Sequence, residues 1–94
     1  AVVNNPNSKN KIFVKLAKDV CPEIREKVAR RTDNRDILDE LSYDEEEKVR
    51  LEVARDWGTR KRTLERMARD DESLDVRLTA RATVITWFKP PYHC

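Results

Sequence analysis

The sequence predicts an all-α fold in which short two-helix units stack on one another, and three observations predict it. Residues that form helices well dominate a chain of 94 residues with one glycine, and no segment reads as a strand. Clusters of turn residues recur at similar intervals. Laid against itself, the chain matches at that interval: Ile24-Arg25-Glu26-Lys27-Val28-Ala29 aligns with Val49-Arg50-Leu51-Glu52-Val53-Ala54, and less well with Val76-Arg77-Leu78-Thr79-Ala80-Arg81.

The units are expected at 1–21, 22–46, 47–73 and 74–94, one repeat domain of about three and a half layers. In the first, Asn4-Asn5-Pro6-Asn7-Ser8 makes a turn, Ser8 is a candidate helix cap, and Phe13, Leu16, Ala17 and Val20 form an apolar stripe. In the second, Pro22 suits a first helical turn, where its missing N–H is harmless, and Ile24 and Val28 lie above each other. Arg31-Thr32-Asp33-Asn34 then breaks the helix, Asp33 is a candidate cap, and Leu38-x-x-Leu41-Ser42-x-Asp44 repeats Phe13-x-x-Leu16-Ala17-x-Asp19. In the third, Val49, Val53, Ala54 and Trp57 share a stripe, Asp56-Trp57-Gly58-Thr59 turns the chain, Thr59 is a candidate cap, and Leu64-x-x-Met67-Ala68-x-Asp70 closes the unit. The three turns mix residues that tolerate left-handed backbone with residues that cap helices. The fourth unit departs at Arg81, where a small alanine is expected, and after Thr83 it matches no repeat. Residues 84–88 are read as extending the last helix and laying Trp87 and Phe88 over the open end of the stack, with an apolar docking site as the alternative.

Neither stripe can be buried within one unit, whereas stacking buries both. The small Ala17, Ala29, Ser42, Ala54 and Ala68 admit close neighbours. An aspartate, a hydrophobic-Arg-x-x-Val-Ala segment, a turn, and Leu-x-x-Leu-Ala-x-Asp together resemble the leucine-rich repeat variant, a short relative of HEAT-like helical repeats. The resemblance covers roughly residues 1–82. It implies a right-handed α-solenoid that acts as a binding scaffold. The chain starts inside a repeat, which leaves open both a piece of a longer array and a start without a full first helix.

Asp19 and Arg25, Asp44 and Arg50, and Asp70 and Arg77 stand at the unit junctions. An arginine ladder for phosphate or carboxylate is one reading. The preferred reading is structural: each aspartate accepts from the next helix and from a repeated arginine, tying layers in register. Charge is also uneven, since residues 33–47 are acidic while Arg60, Lys61, Arg62, Arg66 and Arg69 make the third unit basic. Those five residues, with Trp57 to stack on a base, are the candidate nucleic-acid surface. Against that stand a net charge of +2 and an isoelectric point of about 8.7, so opposite faces that neutralise each other across layers are preferred.

Catalysis is not expected. A chain this short has no interdomain cleft, it carries no nucleophile, base and pocket in a recognisable pattern, and one glycine cannot build a phosphate-cradling loop. Cys21, Cys94 and His93 have no metal-ligand spacing, so no cofactor or metal is expected, and two free thiols are favoured over a disulfide. No segment approaches the roughly 20 apolar residues that cross a bilayer, and the N-terminus carries no secretory pattern, so a cytoplasmic protein is expected. The function expected is a non-catalytic scaffold for a protein partner, with nucleic-acid binding through the third unit as the alternative.

Overall fold

The computed structural model describes residues 6–87, with side chains from 11 to 86, and among them every regular element is a helix. Six α-helices run in order: α1 Pro6–Leu16, α2 Pro22–Arg31, α3 Arg35–Leu41, α4 Glu47–Arg55, α5 Lys61–Asp70 and α6 Leu74–Trp87. The long-range alignment of the sequence reappears as phase, because α2, α4 and α6 carry Arg25, Arg50 and Arg77 at equivalent positions.

Local chemistry explains the boundaries. Pro22 opens α2, and the Asp19 carboxylate just before it accepts from the Cys21 N–H at 2.8 Å. The same device recurs ahead of α4 and α6, where Asp44 accepts from the Glu46 N–H and Asp71 from the Ser73 N–H, each at 2.9 Å. The cap of α3 is Asn34 rather than Asp33: its side-chain oxygen accepts from the N–H groups of Asp36 and Ile37. Ser8 lies inside α1 rather than ahead of it, and the Thr59 hydroxyl donates to the Val53 carbonyl at 2.8 Å, fastening the turn to α4 instead of capping α5. Among the described residues the expected left-handed turn residues are also absent. No described residue has a positive φ, because carboxylates bonding two residues ahead close the turns. Gly58 is small for another reason: a Cβ there would stand 3.1 Å from the Asp56 carboxylate, which already accepts from the Gly58 N–H.

The helices pack as two interleaved sets. α2 lies on α4 and α4 on α6, while α1, α3 and α5 lie against neighbouring members of that row. Their shared core comprises aliphatic side chains, Met67 and alanines, with Val28, Leu38, Val49, Val53, Leu64 and Val76 almost wholly buried. Fully burying one such side chain contributes about 1.5–3 kcal/mol. Ala29 and Ala54, at 0% exposure, let α4 and α6 approach closely, and the Thr83 hydroxyl on α6 donates to the Ala54 carbonyl at 2.6 Å. Two expected core residues are not in the core. Val20 is 93% exposed and Trp57 55%, because each falls in the turn after its helix, where the helical stripe no longer runs. The placement of Phe88 and the Trp87 side chain over the last layer lies outside the described residues.

A radius of gyration of 14.1 Å exceeds the roughly 12 Å of a compact chain of this length, and the extents of 44 × 32 × 16 Å describe a slab. The slab is one helix pair thick, so every helix keeps a solvent face. Among the described residues no helix is long and apolar enough to cross a membrane.

Candidate interaction surface

Arginine and aspartate side chains join the loops that precede α2, α4 and α6. Arg25 donates through Nε and Nη2 to the Asp44 carboxylate at 2.7 and 3.1 Å, and through Nη1 to the Asp19 carbonyl at 2.6 Å. Arg50 repeats this arrangement one layer on, with Nε and Nη2 on the Asp71 carboxylate at 2.9 and 3.3 Å and Nη1 on the Asp44 carbonyl at 2.7 Å. Arg77 continues it with Nη1 on the Asp71 carbonyl at 2.5 Å. Each guanidinium thus binds the loop before its own helix, and the first two also clamp the loop of the next layer. The hydrogen bond and charge of Asp44 hold the Arg25 pKa above its ordinary value despite burial.

The ladder therefore runs through Asp71, not Asp70. Asp70 ends α5 on the surface and pairs with Arg69 beside it at 3.2 Å. The sequence held the signal: Asp19–Arg25, Asp44–Arg50 and Asp71–Arg77 are all six residues apart, whereas Asp70 breaks that spacing.

The acidic and basic stretches meet on the face formed by α3 and α5. Arg60, just before α5, bridges Asp36 at 2.9 Å and also binds Asp39, and the pair, Asp36 first, raises its pKa. The Thr63 hydroxyl donates to the Asp39 carboxylate at 2.6 Å, and Arg66 donates through Nη2 to the Ser42 hydroxyl. Asp36 with Arg60, Asp39 with Thr63 and Ser42 with Arg66 are all 24 residues apart and advance by one helical turn at a time. The three pairs thus share one register between α3 and the first half of α5.

These contacts sort the candidate nucleic-acid residues. Arg60 is spent on Asp36 and Asp39, and Arg69 on Asp70. Lys61 is exposed and already has a partner, and Trp57 stands exposed in the turn between α4 and α5, also in contact. Arg62 and Arg66 remain together, one turn apart on α5, lining a recess of about 320 Å³ with Asp39, Ser42, Tyr43 and Thr63. The Arg66 guanidinium carbon lies 4.0 Å from the centre of the Tyr43 ring. Tyr43 was not among the candidate residues. Its signal was positional, since Tyr43 directly follows the Ser42 that pairs with Arg66.

Two further ion-pair groups lie nearer the surface, although Glu52 itself is buried. Lys48 pairs with Glu23 at 2.6 Å, chiefly through that hydrogen bond holding the glutamate pKa at about 2, and Glu52 on α4 receives Arg30 at 3.0 Å and Arg55 at 3.6 Å. Burial raises the pKa of Asp56, against the hydrogen bond from Gly58. Cys21 is a free thiol and Cys94 lies outside the described residues, as does His93. No group of three or more His, Cys, Asp and Glu side chains among the described residues is placed to hold a metal ion. Searched against protein-family models, curated proteins and solved structures, the chain matches none.

Proposed function

We propose that this chain is a non-catalytic helical-repeat scaffold, a right-handed α-solenoid of the leucine-rich repeat variant or HEAT-like kind, that binds another protein through one row of its helices. The carrying observation is the Arg25–Asp44 and Arg50–Asp71 contact, made in the same register at two successive junctions. Contacts repeated layer by layer hold helices at fixed spacing, so a partner meets a surface that needs little ordering on binding.

A cytoplasmic location fits this reading. The internal pairing of Arg60 and Arg69 favours protein over nucleic acid as the partner, because it removes two of five cations from any phosphate-binding face. A gel-shift titration of single- and double-stranded oligonucleotides at low and physiological salt tests the choice. Weak retention at both concentrations is expected. Tight retention that falls steeply with salt and is lost on reversing Arg62 and Arg66 would establish the nucleic-acid reading instead.

A further inference from the structure

We propose that the recess between α3 and α5 is a receptor for a carboxylate side chain of an acidic peptide, with Arg62 and Arg66 as its donors. This deepens the reading of the chain as a protein-binding scaffold and rests on it.

Arg62 and Arg66 project from successive turns of α5 into one recess, and neither has a carboxylate partner among the described residues. Their neighbours on the same helix and loop differ: Arg60 and Arg69 are neutralised by aspartates. Arg66 is also held in place. The Tyr43 ring lies under its guanidinium, and the Ser42 hydroxyl accepts one N–H while donating its own proton to the Asp39 carbonyl at 2.5 Å. Ser42 is 1% exposed, so this anchor is fixed within the core. A guanidinium with its face on a ring and one edge bonded has less freedom to lose when a ligand arrives, and its remaining N–H groups are of the kind that bind a carboxylate. The carboxylate already in the recess does not compete, since Asp39 is engaged by Arg60 and Thr63.

The surroundings choose between anions. Glu45 and Glu72 line an adjoining recess that shares Ser42, Tyr43 and Arg66 with this one. A polyphosphate chain extending beyond the two arginines would meet Glu45 and Glu72, neither of which has an ion-pair partner among the described residues, whereas one glutamate or aspartate side chain need reach only the recess itself, where the neighbouring Asp39 is already bonded to Arg60 and Thr63. Tyr43, 72% exposed, offers apolar surface to the residue beside that carboxylate.

The test is a titration of the full chain with blocked oligoglutamate, followed by the Arg Nε–Hε resonances in ¹⁵N-correlated NMR spectra, with oligothymidylate as the second arm. Saturable shifts confined to Arg62, Arg66 and the Tyr43 ring are expected. Arg66→Gln should weaken binding about tenfold, and exposed Arg62→Gln, which leaves packing untouched, by a smaller factor in the same direction. Shifts spread equally over Arg31, Arg35 and Arg81, no saturation, or preference for oligothymidylate would overturn the proposal. Failure of the broader reading looks different: a protein partner retained by the Arg62→Gln, Arg66→Gln double variant sinks the recess and leaves the scaffold, whereas a recess that binds oligoglutamate in a chain whose physiological ligand is a nucleic acid sinks the scaffold reading.

Discussion

The arginine–aspartate ladder and the α3–α5 face use the same residue types, an arginine on an aspartate 19 to 24 residues away, in opposite surroundings. In the ladder, Arg25 and Arg50 are 9% and 7% exposed and each grips both oxygens of one carboxylate and a carbonyl. On the face, Arg60 divides itself between two carboxylates, one of which, Asp36, is 82% exposed at the side chain. Water competes for the second set and scarcely for the first. Equal counts of ion pairs therefore do unequal work: the ladder sets layer spacing, and the face cancels charge.

Breaking the ladder at its most buried point should give the largest effect. Arg50→Ala leaves the Asp71 carboxylate, 4% exposed, without its cation, and a loss of about 3–5 kcal/mol is expected in urea unfolding. The double variant Arg50→Met, Asp71→Leu removes both charges and should recover most of that loss, since an apolar pair of similar volume carries no desolvation penalty. If the double variant is as unstable as the single one, the bonds to the Asp44 carbonyl and from the Ser73 N–H rather than the ion pair govern the junction.

A sharper comparison separates adjacent residues. Asp71→Asn keeps one acceptor but turns an amide donor toward Arg50, and about 1–3 kcal/mol of stability should be lost. Asp70→Asn, on an exposed pair with its sequence neighbour, should stay within about 0.5 kcal/mol. Equal losses would return the ladder to Asp70.

That single-residue distinction marks where sequence reasoning stopped. Helices were legible because stripes such as Val49, Val53 and Ala54 repeat at helical spacing, and all three are buried. Pro22 announced the start of α2 through its own covalent geometry. Asp70 was chosen by counting from Met67, but the third unit carries an extra residue there, and only a count back from Arg77 places the carboxylate correctly. Asn34 and Asp33 are both good caps in isolation, and the exact start of α3 decided between them. The Tyr43, Ser42 and Arg66 constellation was least legible. It depends on which faces of α3 and α5 meet, which neither segment specifies alone.

The exposed face should respond weakly, and through salt. Arg60→Ala is expected to lose about 0.2–1 kcal/mol, with much of the difference disappearing at high ionic strength. A salt-independent loss as large as that of Arg50→Ala would make the face part of the framework rather than a layer of cancelled charge.

The smallest expected effect concerns pH, and two carboxylates test it with opposite signs. Glu23 is held at about 2, below its ordinary 4.5, by Lys48 one layer away. Its contribution is therefore complete above the unfolded value and is lost as pH falls through the folded one. The small gap in urea midpoint between the native chain and Glu23→Gln should close between those limits. Asp56 is shifted upward by burial, so its charged form weakens the fold at neutral pH and protonation relieves the strain as pH drops. Asp56→Asn keeps an acceptor for the Gly58 N–H and should match or exceed the native chain at neutral pH, with its advantage shrinking in acid. Parallel acid profiles for the two variants would mean that proximity to Lys48 and burial do not set these carboxylates apart. Divergent profiles would extend to single residues the rule that separates ladder from face: surroundings, not residue type, fix what a charge contributes.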